Sequence, residues 1–282
     1  MKTPLPEYRP QCLRGLYKLL DLSDATVEWI EVAVRHLSHI NTTEGFERVS
    51  DLAAAYEVRV ENIDFEDLPS RWASLQVLSV YQKLEWFLVE FREEHPRDVR
   101  SRKSEEDLLS YTLDAFSVSK HDAGMLEFEI LDYYRLARNH LMHAPSAPQS
   151  KTHVTQHVRI ERLKEDTAYS GLSAPNIIEA FNFDDFILFS RALKNLARNL
   201  CAATCPTADE LVALLKNNTP LRLLLNRTNQ NQERMQKSLA SYLQRCYGFP
   251  SCANELSAAM LQLCPLAQWL EPPPPTVHRF QA

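Results

Sequence analysis

Residues 75–91 read LQVLSVYQKLEWFLVEF, and this stretch decides the fold class. Its apolar side chains recur at spacings of three and four with polar residues between them, which is the pattern of an amphipathic α-helix with a wide buried face. We therefore expect a core helix here. The predicted core positions are Leu75, Leu78, Val80, Tyr81, Leu84, Phe87, Leu88 and Phe91.

The segments on either side carry the same periodicity together with signals for helix starts. Ser104 precedes three acids and an apolar run, as a hydroxyl N-cap does. Thr207 and Glu210 have the spacing of a capping box. Asn182 opens a further apolar-patterned helix that we expect to continue to Leu200. The sequence therefore predicts an all-α helical bundle.

One segment interrupts the helical pattern. Between Ala144 and Lys164, two prolines are followed by an alternation of apolar and polar residues. Such an alternation is typical of extended backbone. We therefore predict a short strand pair or an extended segment in this part of the chain.

Changes in composition divide the chain into regions. We place approximate boundaries between regions near Pro69 and at 204–206, and the last residues are rich in proline. We expect an N-terminal helical extension at 1–70, a helical bundle at 71–204, a C-terminal helical region at 205–270 and a proline-rich tail at 271–282.

The composition limits the classes of function. The chain has 282 residues, which is enough for one large or two modest domains, and only 5 glycines. So few glycines argue against a glycine-rich phosphate loop or a dinucleotide fingerprint. The net charge of -6 argues against a protein that coats nucleic acid by bulk electrostatics. Any contact with nucleic acid must be local.

The 6 cysteines do not have the spacing of zinc ligands or of a disulfide framework. We interpret them as buried, small apolar residues in a reducing compartment. The sequence contains no apolar run of membrane-spanning length, and its N-terminus lacks the apolar core of a signal peptide. We expect a cytoplasmic protein without membrane association, and we identify no metal site and no cofactor.

Residues with chemical potential concentrate near the end of one apolar-patterned helix, where residues 134–143 read YRLARNHLMH. Arg138 offers a permanently charged, bidentate donor for a phosphate, with the amide of Asn139 beside it. His143 supplies an imidazole that can transfer protons near neutral pH. Pro145 disfavours helical backbone just before it, which places His143 in the last turn. Together these groups can act on a phosphodiester.

The geometry of a regular helix separates Arg138 and His143 by about 140° around the axis. Arg135 and Asn139 align better with His143. Three arrangements would still bring Arg138 and His143 to one phosphate: the length of the arginine side chain, a distorted helix end, or a second copy of the helix across a two-fold axis. The last arrangement predicts a dimer.

This pattern resembles the signature of the HEPN domains, all-helical modules of prokaryotic toxins, abortive-infection systems and RNA-processing nucleases. In that signature an arginine, a polar residue and a few further residues precede a histidine. The helices at 75–91 and 183–200 resemble the scaffold helices of these modules, and the likeness covers 71–203. The resemblance implies metal-independent RNA cleavage at a composite site between two subunits, with the substrate 2′-hydroxyl as nucleophile.

The resemblance also implies a role for each residue. Arg138 would bind and stabilise the scissile phosphate, His143 would act as general acid or base, and Asn139 would orient the phosphate or the imidazole. The expected function is that of an endoribonuclease, a toxin or phage-defence effector, that acts on RNA as a homodimer. An antitoxin or defence-system partner protein would restrain it. The alternative is a non-catalytic helical module that binds RNA or a partner protein.

Basic residues near the motif are the predicted RNA contacts. Arg135 lies one turn before Arg138, and Lys151, Arg159 and Arg162 belong to the densest basic segment of the chain. A solvated loop is the other interpretation of that segment.

The motif has an internal control within the chain. The text Leu-Ala-Arg-Asn occurs at 136–139 and again at 196–199. After the second copy, Ala203 or Thr204 occupies the place where a histidine would be needed. Arg198 is therefore a matched arginine without the accompanying imidazole.

Overall fold

The computed structural model describes residues 8–61, 67–95, 101–103, 106–143, 151–165, 167–216, 218–227, 231–249 and 253–264. Every regular element in these ranges is a helix, and they contain no strand, which confirms the all-α fold class. None of the helices in the described part of the chain has the length and hydropathy that crossing a membrane requires.

The chain forms two compact units. The larger unit contains residues 12–200, and the smaller one combines 1–11 with 201–282. The helices before Pro69 thus lie in the same unit as the candidate motif. The transition after Leu200 is near the boundary that the composition indicates at 204.

Eight helices of the described ranges lie wholly or mainly in the larger unit, and a short 3-10 turn at Ile178–Ala180 precedes the last of them. They are α1 (Gln11–Glu44), α2 (Phe46–Ala54), α3 (Leu68–Glu94), α4 (Leu108–Ala115), α5 (Lys120–Ala123), α6 (Met125–His143), α7 (Lys151–Lys164) and α8 (Phe183–Ala203).

The predicted core helix is α3, and Val80, Leu84, Phe87, Leu88 and Phe91 are buried as expected. Leu78 and Tyr81 are half-buried, and 57 % of Leu75 is exposed. Val77, which we did not predict as a core residue, is fully buried, and it lies on the packed face of α3 instead of Leu75. We call the central row of this packed face the seam of α3. The seam follows alternating steps of three and four residues. Its members are Ala73, Val77, Val80, Leu84, Phe87 and Phe91.

The start of α8 is organised by a buried carboxylate. Asp185 is fully buried and accepts four hydrogen bonds, from the Tyr134 hydroxyl (2.9 Å), from the backbone and side-chain amides of Asn176 (2.9 and 2.8 Å) and from the backbone amide of Asn182 (2.9 Å). Burial raises the pKa of Asp185 above its ordinary value, and these hydrogen bonds oppose that effect. Asp185 lies in the first turn of α8, and its bond to Tyr134 makes it a link between α6 and α8.

The strand pair or extended segment predicted up to Lys164 is wrong for residues 151–164, because these residues form α7. The buried positions of α7 are Gln156, Ile160 and Lys164, which follow one another at the helical spacing of four. Because two of these three residues are polar, the helical period does not show in the pattern of apolar residues. Residues 144–150, which belonged to the same prediction, lie outside the described residues.

Polar contacts hold α7 against α6. The Gln156 side chain donates to the Glu129 carbonyl (3.2 Å) and to Asp132 Oδ2 (2.9 Å). At the end of α7, Lys164 donates to carbonyls of the segment that follows this helix, those of Leu172 (2.8 Å) and Ala174. These bonds satisfy polar groups that burial would otherwise leave unpaired.

The N-cap of α4 is Asp107, whose side chain accepts a hydrogen bond from the Ser110 amide at 2.8 Å. We had assigned this role to Ser104, which lies outside the described residues. Asp107 occupies the capping geometry because its backbone is extended immediately before the first helical residue.

The smaller unit is also helical. The capping box of Thr207 and Glu210 is confirmed at the start of its first helix. Gly248 has a positive φ of 64°, and a Cβ there would lie 2.2 Å from the Arg9 carbonyl oxygen, so this position requires glycine. The helices of the unit are α9 (Ala208–Leu215), α10 (Thr219–Asn226), α11 (Gln232–Tyr242) and α12 (Ala253–Leu263), with one π-helical turn at Leu243–Tyr247.

Two further expectations concern the burial of the cysteines and the proline-rich tail. Cys12, Cys201 and Cys264 are buried, as we expected for small apolar side chains, whereas Cys205 and Cys246 are only half-buried. Cys252 and the proline-rich tail at 271–282 lie outside the described residues.

We predict that Asp185→Ala lowers the free energy of unfolding by about 3 kcal/mol, because it leaves several buried donors without an acceptor. Urea unfolding followed by circular dichroism measures this change. The matched control is Asp51→Ala, which removes an exposed carboxylate from α2 and should change the free energy by less than about 0.5 kcal/mol. Equal effects of the two substitutions would show that the buried carboxylate does not hold the helices together.

Candidate functional site

Helix α6 positions the three residues that the sequence singled out. Ile130, Tyr134 and Ala137 are fully buried and fix the rotation of this helix against the core. Arg138 and Asn139 follow directly and are half-buried, whereas His143 is exposed at the end of the helix. The apolar face thus determines where the polar face of the last turns points.

The structure brings Arg138, Asn139 and His143 of one chain together. Arg138 Nη1 donates to Asn139 Oδ1 at 3.1 Å and lies 3.4 Å from His143 Nε2. Since α6 is a continuous helix up to His143, the length of the arginine side chain alone bridges the angle between the two positions. Within one chain, the first of the three arrangements makes this contact, and the two-fold arrangement stays a prediction. We call these three residues the α6 cluster.

The contact between Arg138 and His143 is long for a hydrogen bond, since its 3.4 Å exceeds the usual range for nitrogen donors. A long contact holds the imidazole only weakly. An anion that approaches the guanidinium can therefore replace it without a large loss of binding energy.

The aromatic ring of Tyr81, from α3, forms the other side of the α6 cluster. The Arg138 guanidinium carbon lies 5.3 Å from the centre of this ring, which is the geometry of a cation–π contact. Burial raises the pKa of the Tyr81 hydroxyl, and Glu85 raises it further, while Arg138 and Arg135 act in the opposite direction. The Tyr81 side chain is thus uncharged near neutral pH.

Arg138 differs from the neighbouring arginines in the groups that contact its guanidinium. Arg135 forms an ion pair with Asp132 at 2.7 Å, and Arg159 forms one with Glu129 at 3.2 Å. Among the residues that the structure describes, no carboxylate lies within ion-pair distance of Arg138. Its partners are an amide oxygen, an imidazole and a phenol ring, and none of them is an anion. Its positive charge is therefore available to a ligand.

The predicted RNA contacts are not gathered at the α6 cluster. Arg135 and Arg159 are occupied by ion pairs within the fold. Arg162 is exposed and lines a pocket of about 350 Å³ together with His157 and Ser170. Lys151 is the first residue of α7, about 16 Å along the helix from Arg162, and its side chain lies outside the description.

Tyr81 is the site residue that sequence reasoning missed. We assigned it to the core, as part of the apolar stripe of α3. It contacts Arg138 only because two helices distant in sequence pack against each other, and no local pattern indicates such a contact. Its polar hydroxyl, in a stripe of otherwise purely apolar residues, was the one available hint.

The second copy of the Leu-Ala-Arg-Asn text has a structural role. Arg198 is exposed on α8. The side chain of Asn199 donates to the Ala123 carbonyl at 3.2 Å and thereby satisfies the end of α5. The same four residues therefore stabilise a helix end at one place and form part of a charged cluster at the other.

Metal ligands are a further feature of interest in a candidate active site. In the described ranges no group of three or more histidine, cysteine, aspartate or glutamate side chains is placed to hold a metal ion.

This chain matches no known protein family, no curated protein and no solved structure. The functional assignment therefore depends on the geometry of the site.

We predict that Arg138→Ala raises the pKa of the Tyr81 hydroxyl further, because the guanidinium stabilises the phenolate form. NMR titration of tyrosine ring carbons, with Tyr81→Phe to assign the signal, measures this shift. Arg198→Ala is the matched control and should leave the titration of Tyr81 unchanged. An unchanged Tyr81 titration in Arg138→Ala would contradict the observed contact between ring and guanidinium.

Proposed function

We propose that this protein is a metal-independent endoribonuclease whose active site is the α6 cluster. The observation that carries the proposal is the uncompensated guanidinium of Arg138 beside the exposed imidazole of His143. A fixed cation next to a proton-transfer group is what the cleavage of a phosphodiester requires. The resemblance of this sequence pattern to the HEPN signature supports the same reaction.

In the proposed reaction the 2′-oxygen of the RNA attacks the adjacent phosphorus, and the bond from phosphorus to the 5′-oxygen breaks. The proton of the 2′-hydroxyl passes to a base, and the departing 5′-oxygen receives a proton from an acid. The products are a 2′,3′-cyclic phosphate and a 5′-hydroxyl. No metal ion is needed to balance these steps.

Each residue of the α6 cluster has a defined part in this reaction. Arg138 binds the non-bridging phosphate oxygens and stabilises the additional charge of the transition state. His143 performs one of the two proton transfers. Asn139 holds the guanidinium through its side-chain oxygen, at the observed 3.1 Å.

The second proton transfer requires a second group. We propose that His143 of another copy supplies it, in the composite dimer site that the HEPN resemblance implies. The same resemblance leads us to propose a cytoplasmic toxin or phage-defence effector, which an antitoxin or defence-system partner protein restrains.

The central test is cleavage of total RNA by the purified protein in the presence of EDTA. We predict cleavage that resists the chelator and falls at least about 100-fold in Arg138→Ala and in His143→Ala, since these changes remove charge stabilisation and proton transfer. His140→Ala, one turn before His143 on the same helix, and Arg198→Ala are the matched controls and should retain activity.

Two outcomes would contradict the proposal. Cleavage that EDTA abolishes would indicate a different reaction, and cleavage that survives both substitutions would indicate a contaminating nuclease. Binding of RNA without any cleavage would instead favour the alternative of a non-catalytic module that binds RNA.

The identity of the nucleophile gives an independent prediction. Replacing the single nucleotide that precedes the cleaved bond by its 2′-deoxy form should abolish cleavage at that position, because the attacking hydroxyl is missing. Mass spectrometry of the products should detect a 2′,3′-cyclic phosphate. Cleavage of the 2′-deoxy substrate at an undiminished rate would show that water, and not the RNA, supplies the nucleophile.

A further inference from the structure

We infer that Tyr81 is a positioning residue of the α6 cluster, whose ring holds the Arg138 guanidinium in place for a phosphodiester without cancelling its charge. This inference rests on the proposed function and adds a residue from α3 to the site. It follows from the contacts of Arg138, from the contrast with neighbouring arginines and from the chemistry of the aromatic ring.

Arg138 needs a support to occupy its observed position. An arginine side chain loses roughly 2 kcal/mol of rotamer entropy when it is fixed. The hydrogen bond to Asn139 is a single contact, and the approach to His143 is long. The ring of Tyr81, at 5.3 Å from the guanidinium carbon, is the remaining contact that the described residues provide.

The neighbouring arginines show how the fold fixes a guanidinium when no ligand is involved. Arg135 and Arg159 lie against Asp132 and Glu129, and each pair includes a carboxylate of α6. A carboxylate at the place of Tyr81 would hold Arg138 equally well. It would also neutralise the charge and compete with a phosphate for the same donors.

An aromatic ring fixes a guanidinium by a different interaction. The negative face of the ring attracts the cation, which is worth about 0.5 to 2 kcal/mol. The net charge of the guanidinium is unchanged, and the contact does not require an N–H group to be given to an acceptor atom. The donors of Arg138 therefore remain available for phosphate oxygens, except for Nη1, which contacts Asn139 and His143.

This mode of action does not depend on the Tyr81 hydroxyl. The ring carries the interaction with the cation, so phenylalanine should replace tyrosine at this position. Leucine fills similar space without the ring electrons, and glutamate introduces the competing carboxylate. The three substitutions separate the ring, the volume and the charge at position 81.

The test compares Tyr81→Phe, Tyr81→Leu and Tyr81→Glu in RNA cleavage with EDTA, with thermal unfolding as the check on folding. We expect Tyr81→Phe to keep kcat/KM within about threefold of the unsubstituted protein and Tyr81→Leu to lower it roughly tenfold. Tyr81→Glu should lower it to the level of Arg138→Ala. In the double variant of Tyr81→Leu and Arg138→Ala, activity should not fall below that of Arg138→Ala alone.

The double variant separates positioning from a merely structural role. If Tyr81→Leu reduces activity by the same factor with and without Arg138, the ring acts through the fold and the inference is overturned. If Tyr81→Leu cleaves as fast as the unsubstituted protein while Arg138→Ala does not cleave, the inference also fails, and the proposed function stands.

Phosphate binding tests the role of Tyr81 without catalysis, and the test therefore also applies if the protein does not cleave RNA. Titration with inorganic phosphate, followed by the NMR signal of the Arg138 Nε–H group, reports on the anion site directly. We expect binding in the unsubstituted protein and in Tyr81→Phe, and at least several-fold weaker binding in Tyr81→Leu. Equal binding in Tyr81→Phe and Tyr81→Leu would refute the inference independently of the proposed function.

Discussion

The candidate site depends on a buried carboxylate. Asp185 accepts hydrogen bonds from the Tyr134 hydroxyl and from backbone amides of the segment that precedes α8, and it thereby fixes α6 against α8. The Tyr134 ring also stacks on Phe189 at 4.6 Å, so the same side chain is held at both its polar and its apolar parts. Arg138 lies about one turn further along α6, and its position relative to α3 follows from this anchor.

Within that frame, the identity of the partner decides what each arginine does. Arg135 and Arg159 serve the packing of α6 and α7, because carboxylates compensate their charges. Arg138 has the same chemistry and lies on the same helix as Arg135, yet its described partners carry no negative charge. Whether an arginine serves packing or keeps its charge open to a ligand is thus set by what the adjacent helices present to it.

The sequence was sufficient for the fold class, because the apolar seam of α3 and the capping box at Thr207 are local patterns. It was insufficient for α7, whose buried face consists largely of Gln156 and Lys164 and so shows no apolar period. The sequence also left open how Arg138 and His143 meet, since side-chain reach is not a property of spacing. Tyr81 could be assigned to the site only after α3 and α6 were packed together.

The uncompensated cation stands on a molecule with a net charge of -6, and this combination restricts which polyanions can approach. For the RNA substrate that we propose, each phosphate that does not contact Arg138 is repelled by the net negative charge of the protein, and the repulsion grows with the number of phosphates held close. A rigid duplex brings many such groups at once, whereas a protruding loop or a flexible end presents few. If RNA is the substrate, as we propose, the net negative charge therefore favours short, exposed segments over a rigid duplex.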